Sequence, residues 1–308
     1  MNLTLVGLEL VGTSVGLALK AVSDDLSIVG HDPHADSVKR AQELGAIDES
    51  HWNLLAACEE ADLIFLDVDL EEIKTTLEAL SGEIREGTVI VDTYALKRPV
   101  IEMARRLLSD NVHFVGGHVV SPRIRGDEEP APDLLKGATF FLVAPEGVDS
   151  QAMDMASNLA EAVEAVPRYI DAAEHDGLVA ATLQLPLLSA LAMIDTLHQE
   201  TGARERKEAT GGALAGMVSL LSRSQALAAA PFLHNRENML HWLDIYARRL
   251  DALRAALAGG EVEALEKEIA RVRETGEEWM RDASSDKGQG EASGSGWRDL
   301  FLGGLGRR

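Results

Sequence analysis

The feature that most constrains the fold is an alternation, across the first half of the chain, of short apolar runs with amphipathic stretches. The apolar runs have the continuous hydrophobicity of strands buried on both faces, and the stretches between them have the period of helices. This alternation predicts a parallel sheet covered by helices on both sides, because parallel strands need long crossover connections. The strand candidates are LTLVG, LSIVGHD, ADLIFLDVD, GTVIVDT, VHFVGGHVV and ATFFLVAP.

After about residue 148 only helical patterns occur, over 150–166, 174–199, 209–229, 231–258 and 261–282. The segment 174–199 is apolar on nearly every side, which predicts burial in a core or in a subunit interface. Helices that cannot hide such surface within one chain often hide it by dimerising, so we expect a homodimer. We therefore predict an α/β domain over 1–148, an all-helical dimerisation domain over 149–282, and a flexible linker and tail over 283–308. The final WRDLFLGGLGRR is either a disordered tail or a docking peptide.

Composition excludes several classes of partner. A net charge of −22 argues against nucleic acid and anionic membrane surfaces. The single cysteine, Cys58, excludes an intramolecular disulfide, and no spacing of metal ligands suggests a metal site. The first apolar run is too short for a signal peptide. The uncharged run 177–194 nears the length of a membrane span. Polar residues interrupt it, however, and its flanks lack Lys and Arg. We therefore expect a cytoplasmic protein with no membrane segment.

The segment GLELVGTS follows the first predicted strand and opens a helix, where a dinucleotide-binding fold has its phosphate-binding turn. Gly7 and Gly12 permit the tight turn and close packing, and the small Thr13 is compatible with both. Asp32, at the end of the second predicted strand, is placed to hold the adenosine ribose hydroxyls. Its charge favours NAD over NADP because it would repel a 2′-phosphate. We therefore predict a Rossmann-like, doubly wound α/β domain that binds NAD through Gly7, Gly12, Thr13 and Asp32.

Three carboxylates weigh against that prediction. Glu9 stands where the glycine motif has its second glycine, and Asp67 and Asp69 lie at the end of the predicted strand ADLIFLDVD. The carboxyl ends of parallel strands border the ligand crevice, so these acids would lie beside an anionic pyrophosphate. Each would disfavour it by about 1 kcal/mol if partly solvated. The alternative is a doubly wound fold that binds no dinucleotide.

Candidate catalytic and substrate-binding residues follow two later strands. His118, in FVGGHVVSPRIRG, lies at the cofactor side of the sheet, where a neutral imidazole can accept a proton from a substrate hydroxyl. Arg123 and Arg125 are candidates for holding a carboxylate substrate. In the neighbouring VDTYALKR turn, Thr93 is a candidate for the cofactor and Lys97 for the substrate. The alternative for each is a structural role.

A polar cluster also begins one predicted helix of the second part. Glu174, His175 and Asp176 precede the apolar run of 177–194. Acids at a helix start stabilise its N-terminal N–H groups. We therefore interpret this cluster as a helix cap.

Taken in order, segments over roughly 3–282 resemble the prephenate/arogenate dehydrogenase family of tyrosine biosynthesis. They are GLELVGTSVGLAL, GHDPHADSVKRAQELGAID, ADLIFLDVDLEEI, VIVDTYALKRPVI, FVGGHVVSP, DAAEHDGLVAATLQLPLLSALA and NRENML. The resemblance implies an NAD(P)-binding Rossmann domain followed by a helical dimerisation domain. It also implies oxidative decarboxylation, in which hydride passes from the hydroxyl-bearing ring carbon to the nicotinamide. His118 matches the family's catalytic histidine, which takes the hydroxyl proton.

The sequence departs from the family pattern at several positions. Glu9 replaces the middle glycine, Asp67 and Asp69 replace a neutral strand end, and Ala95 replaces the serine of the turn before Lys97. No arginine occurs in the run that corresponds to the family's substrate-clamping arginines. These departures keep a second hypothesis open, a catalytically impaired homologue that acts as a dimeric binding or regulatory protein. A different hydroxyacid dehydrogenase is a third, weakened by the lack of a clear catalytic lysine motif in the helical half.

Overall fold

The computed structural model describes residues 1–23, 25–124, 128–199, 203–223 and 227–285. Its centre is one eight-stranded sheet of order β3-β2-β1-β4-β5-β6-β7-β8. Strands β1 to β6 pair in parallel as predicted, and β8 is parallel to β7; the exception is β7, which runs antiparallel to β6. The strands are Asn2–Val6 (β1), Ser27–His31 (β2), Glu49–Ser50 (β3), Leu63–Leu66 (β4), Val89–Asp92 (β5), His113–Val120 (β6), Thr139–Val143 (β7) and Val166–Tyr169 (β8).

Helices cover both faces of this sheet and bury its continuous apolar strands. The core divides into two clusters of buried side chains, one on each face, as expected for a doubly wound fold. Strands β1 and β4 are neighbours although two strands separate them in sequence, so the chain reverses its direction of winding there and leaves a crevice. The covering helices are Leu10–Val22 (α1), Ala35–Leu44 (α2), Leu54–Cys58 (α3), Leu70–Leu80 (α4), Lys97–Leu107 (α5) and Ser150–Ala162 (α6).

The sheet continues past residue 148, where the sequence predicts that the α/β domain ends. The predicted helix over 150–166 stops at Ala162, and strand β8 begins at Val166 and pairs in parallel with β7. Helix α6 is the crossover connection between β7 and β8, which parallel pairing requires. The α/β layer therefore extends to Tyr169, beyond the predicted boundary.

The second part of the chain is helical, as predicted. A π-helical turn, Ala180–Gln184, joins α7 and α8 into one continuous rod. Pro186 follows that turn and has no backbone N–H, so the backbone widens where a regular helical bond cannot form. The helices are Ala172–Val179 (α7), Leu185–Gln199 (α8), Ala203–Glu208 (α9), Gly212–Arg223 (α10), Ala229–His234 (α11), Arg236–Gly259 (α12) and Val262–Ser285 (α13). Residues 286–308, which hold most of the predicted tail, lie outside the described part of the chain.

A buried hydrogen-bond junction fastens this rod to the helices that follow. Gln184, in the π turn, is 2% exposed and donates to the carbonyl of Pro231 at 2.9 Å. Asn235 Nδ2 donates to Gln184 Oε1 at 2.7 Å and to the backbone carbonyl of Asp176 at 2.8 Å. These contacts hold the start of α12 against α7 and the π turn.

The apolar rod Ala172–Gln199 is long and apolar enough to cross a membrane by length and composition, yet only 28% of its most apolar window is buried within this chain. Large apolar side chains such as Leu178, Leu191 and Met193 are exposed along it. Further exposed apolar side chains lie on α10, α12 and α13, among them Val218, Leu240, Leu253, Ile269, Val272 and Trp279. One chain therefore leaves much of the apolar surface of its helical part uncovered.

Candidate active site

The carboxyl ends of strands β1, β4 and β5 meet at the crevice. Val6 pairs with Leu66, and Leu66 pairs with Asp92, so the next residues, Gly7, Asp67 and Thr93, follow the same row of the sheet. This register brings together three positions that are far apart in sequence. Their contacts determine what the crevice can bind.

The glycine turn has the tight geometry that the motif predicts. Gly7 has a φ of +92°, a conformation that residues with a Cβ atom rarely adopt. A Cβ atom at Gly12 would lie 2.1 Å from the carbonyl oxygen of Gly7, so the start of α1 can pass this close only without a side chain. Thr13 is 1% exposed and its hydroxyl donates to the carbonyl of Leu8 at 2.8 Å. Thr13 therefore braces the turn from inside instead of facing the crevice.

Asp67 contacts the N-terminus of α1. Its Oδ2 accepts the N–H of Gly12 at 2.7 Å, and its Oδ1 accepts the hydroxyl of Thr93 at 2.8 Å. The backbone N–H of Val11 also donates to this carboxylate. Burial raises the pKa of Asp67; the nearby charge of Glu9 adds to this rise, while the donated hydrogen bonds oppose it. A carboxylate thus occupies the place where a Rossmann fold presents N–H groups to a phosphate.

The two other acids at the crevice, Asp69 and Glu9, are exposed and have surroundings different from those of Asp67. Asp69 is exposed and accepts the N–H of Glu72 at 2.9 Å, so it is the N-cap of α4. Glu9 is exposed at the N-cap position of α1 and makes no side-chain capping hydrogen bond there. Of the three suspected carboxylates, Asp67 is therefore the one with hydrogen bonds to the N–H groups of α1.

Asp32 lies at the end of β2, where the sequence predicts it. It is 8% exposed; its Oδ2 accepts the N–H of Leu8 at 2.9 Å and its Oδ1 accepts the N–H of His34 at 2.7 Å. Oδ1 also lies 3.2 Å from Nδ1 of His34. Oδ2 retains a second lone-pair site, which a ribose hydroxyl can use. Asp32 thus fixes the glycine turn and presents negative charge beside it.

A cavity of about 330 Å³ opens beside these residues, between α1, α2 and the segment after β6. Its lining carries three acids, Glu9, Asp36 and Glu128, and one arginine, Arg40. Arg40 forms an ion pair with Glu129, which lies between the lining residues Glu128 and Pro130 in sequence. The cavity is therefore acidic, which suits a neutral or cationic group better than a free phosphate.

His118 lies on β6 and contacts a second histidine from the helical part. Its Nδ1 is 3.0 Å from Nε2 of His175, and the two rings meet edge to face. His175 is 1% exposed and is held on its other side by Phe141, the cross-strand partner of His118 on β7. Burial is the main cause that holds the pKa of His118 well below its usual value, and the charge of Lys97 acts in the same direction. His118 is therefore a neutral imidazole at neutral pH.

Asp176 completes this chain of contacts. Its Oδ1 lies 3.4 Å from Nδ1 of His175, which favours the tautomer with the proton on that nitrogen. His175 Nε2 is then an acceptor for the Nδ1–H of His118. This leaves Nε2 of His118 as the unprotonated atom, which is the arrangement a general base requires.

Asp176 also joins the two parts of the molecule. Helix α5 has Leu96 at its N-cap, and a leucine cannot accept the free N–H groups. The carboxylate of Asp176 accepts them instead, from Lys97 N at 2.7 Å and Arg98 N at 3.0 Å. The interpretation of Asp176 as a cap for its own helix is therefore wrong, because Asp171 is the N-cap of α7.

Lys97 does not reach the surface. It is completely buried, and its ammonium lies 2.6 Å from Oδ2 of Asp92, which is buried as well, and also donates to the carbonyl of Gly117. Asp92 Oδ1 accepts the N–H of Gly117 at 3.1 Å. Burial lowers the pKa of Lys97, and the charge of Asp92 partly offsets this effect. The pair joins β5 and α5 to β6 at Gly117, the residue before His118, so this geometry favours a positioning role over the predicted contact with substrate.

Of the two arginines predicted to bind a substrate carboxylate, the structure describes Arg123. Arg123 Nη1 donates to the carbonyl of Asp133 at 2.7 Å and to its Oδ2 at 3.0 Å. This pairing is solvent-exposed, so a stronger anionic partner can replace it at little cost. Arg125 lies outside the described residues.

Comparison with known proteins identifies the family. Residues 15–169 match the model described as "Prephenate dehydrogenase, nucleotide-binding domain", and residues 171–271 match "Prephenate dehydrogenase, dimerization domain". The chain belongs to the prephenate dehydrogenase family. The junction between the two matched regions falls after β8, where the sheet ends.

Individual relatives agree with this family assignment. The chain is 26% identical to the prephenate dehydrogenase of Bacillus subtilis over 86% of this chain and 72% of that protein. Its fold is similar to the crystal structure of prephenate dehydrogenase from Aquifex aeolicus in complex with hydroxyphenyl propionate and NAD+, with a TM-score of 0.80, 22% identity and coverage of 90% and 98% of the two chains. Synechocystis arogenate dehydrogenase is similar too, with a TM-score of 0.74, 22% identity and coverage of 91% and 100%.

Sequence reasoning missed His175 and Asp176 as members of the site. Both are almost completely buried, although they lie next to each other on one helix. A signal was available in the sequence, since two ionisable residues precede a long apolar run and such residues need buried partners if the run is buried. The pattern could not say that the partners are His118 and the start of α5.

Proposed function

We propose that this chain is an NAD-dependent dehydrogenase that oxidatively decarboxylates prephenate or arogenate. The observation that carries the proposal is the hydrogen-bonded chain from His118 through His175 to Asp176, at the edge of the sheet where the cofactor of a Rossmann fold lies. It supplies a neutral, oriented imidazole in a chain that belongs to a family of dehydrogenases.

In the proposed reaction His118 Nε2 takes the proton of the ring hydroxyl, while hydride leaves the ring carbon that bears this hydroxyl. The chemistry that NAD supplies when bound is acceptance of this hydride. The bond from the ring to the carboxylate then breaks, its electron pair completes the aromatic ring, and CO₂ leaves. The phenolate oxygen regains its proton from His118, so His118 ends the cycle neutral. His175 and Asp176 orient His118 and stabilise its transient charge.

The residues fit one half of the cofactor better than the other. Asp32 Oδ2 has an acceptor site for a ribose hydroxyl, and the charge of Asp32 disfavours the 2′-phosphate of NADP, which supports NAD. Gly7 and Gly12 give the backbone the close approach that a pyrophosphate needs. Asp67 occupies the phosphate-facing N–H groups, so the phosphate half fits only after that carboxylate moves.

We assign Arg123 to the binding of the substrate carboxylate. Arg125, two positions later in the sequence, is a second candidate for the same role. The exposed pairing of Arg123 with Asp133 leaves its guanidinium exchangeable. We further infer a cytoplasmic homodimer, supported by the matched dimerisation domain and by the uncovered apolar side chains of α8, α12 and α13.

The test is NAD reduction followed at 340 nm with prephenate and with arogenate, at low and high salt. We expect turnover with at least one substrate, and a loss of about 1,000-fold in kcat for His118→Ala because the base is removed. The control is His113→Ala, which removes a histidine from the opposite end of the same strand. Turnover that survives His118→Ala would contradict the assignment, and no turnover under any condition would favour a binding or regulatory protein.

A further inference from the structure

The N-terminus of α1 already has an anionic partner in this chain. Oδ2 of Asp67 accepts the N–H of Gly12 at 2.7 Å, the N–H of Val11 donates to the same carboxylate, and Thr93 donates to Oδ1 at 2.8 Å. We propose that Asp67 is an internal competitor for the cofactor, because its carboxylate occupies the hydrogen bonds that the pyrophosphate needs. The inference rests on the proposed NAD dependence and adds a residue that determines cofactor affinity.

Geometry makes the competition direct. The N–H groups of the first turn of a helix have no intrahelical acceptors, so they bind either an internal carboxylate or an external phosphate. The helix dipole stabilises one negative charge at this position. A phosphate that approaches while the carboxylate of Asp67 is in place finds the N–H donors occupied and is repelled by the charge of that carboxylate. Gly12 packs closely against Gly7, and a Cβ atom built on Gly12 would lie 3.4 Å from Cβ of Asp67, so the start of α1 lies directly beside this side chain.

The side chain of Asp67 is the part that can move. Its hydrogen bonds come from two backbone N–H groups and from the Thr93 hydroxyl, which also contacts the carbonyl of Leu66 at 3.2 Å and can keep that partner alone. Rotation of Asp67 away from α1 would free the Gly12 N–H without moving a strand. Cofactor binding would then include the cost of turning a carboxylate into the acidic crevice near Glu9.

The experiment measures binding of ADP, and of adenosine as a ligand without phosphate, by calorimetry on the full chain at pH 7. Asp67→Ala should tighten ADP binding on the order of tenfold, the scale of one charge at a helix N-terminus, and leave adenosine binding unchanged. Asp67→Asn, which keeps the size and one acceptor, should give a smaller gain. The matched control is Asp69→Asn, which removes a charge from the same loop but keeps an N-cap for α4.

Three outcomes would overturn the inference. ADP binding could be unchanged or weaker in both Asp67 variants, the gain could be equal for adenosine, or Asp69→Asn could give the same gain as Asp67→Ala. Because the readout is equilibrium binding, the result is separate from that of the turnover assay. Tighter ADP binding without turnover would uphold the competition and reject the proposed activity, whereas turnover without any gain in binding would do the reverse.

Discussion

His118 Nδ1 lies 3.0 Å from His175 Nε2, although the two residues belong to different parts of the chain, a sheet strand and an apolar helix. The contact sets which nitrogen of His118 carries the proton and which remains available as a base. It also means that the proposed base depends on how the helical part docks on the sheet.

Replacing His175 tests this dependence. Because His175 touches His118 and not the reacting atoms, we expect His175→Ala to lower kcat by about 100-fold through loss of orientation. His175→Gln should recover part of the loss, since its amide oxygen can accept the Nδ1–H of His118. The pH profile of the Ala variant should also change, with the acid limb moving to higher pH. A lower kcat with an unmoved pH profile would point to a merely structural role.

The pH dependence of the wild-type protein follows from the lowered pKa of His118. The neutral form is the base, so kcat/KM should be constant above the pKa and should fall as pH drops below it. Since burial sets that pKa well below the ordinary 6.5, the acid limb of the profile should lie on the acid side of pH 6.5. Initial rates from pH 5 to 8 would measure it. An acid limb at or above pH 7 would contradict the assignment of His118 as this neutral base.

The buried pair of Lys97 and Asp92 should dominate the stability of the sheet edge. Lys97→Met leaves the Asp92 carboxylate buried and unpaired, so we expect a loss of about 3–5 kcal/mol in the free energy of unfolding, measured by urea denaturation. The double variant with Asp92→Asn should recover part of it. The control is Lys39→Met, which breaks an exposed pair with Glu43 and should cost less than about 0.5 kcal/mol. Equal losses for the two lysines would refute this prediction.

Asp67 should destabilise the protein at neutral pH. Its pKa is raised in the folded state, so the folded chain holds a proton there more tightly than the unfolded chain does. The contribution of this group is therefore most favourable below the ordinary 3.8 and is lost as pH rises through the raised pKa. Asp67→Asn, neutral at every pH, should raise the melting temperature at pH 7, and the difference should shrink toward acid pH. A lower melting temperature at pH 7 would show that the hydrogen bonds to α1 outweigh burial.

The uncovered apolar face of α8 should be an interface between two copies. Met193 is 43% exposed in one chain, and Met193→Glu would bury a charge in that interface. We expect the dissociation constant of the dimer to rise by about 100-fold, measured by analytical ultracentrifugation. The control is Val22→Glu at the end of α1, which places the same charge on an exposed apolar position of the sheet domain. A monomeric wild-type protein would refute the proposal.

The sequence by itself determined the doubly wound fold, the family and the helical second part, because hydrophobic period and glycine placement act over a few residues. For the same reason, the sequence placed His118 and Asp67 correctly at the edge of the sheet where the carboxyl ends of the parallel strands lie. It did not determine which carboxylate contacts α1, that Lys97 is buried, or that Asp176 caps a helix that begins 79 residues earlier. Those contacts depend on strand register and on the docking of α7 against α5, which bring together side chains that no local pattern relates.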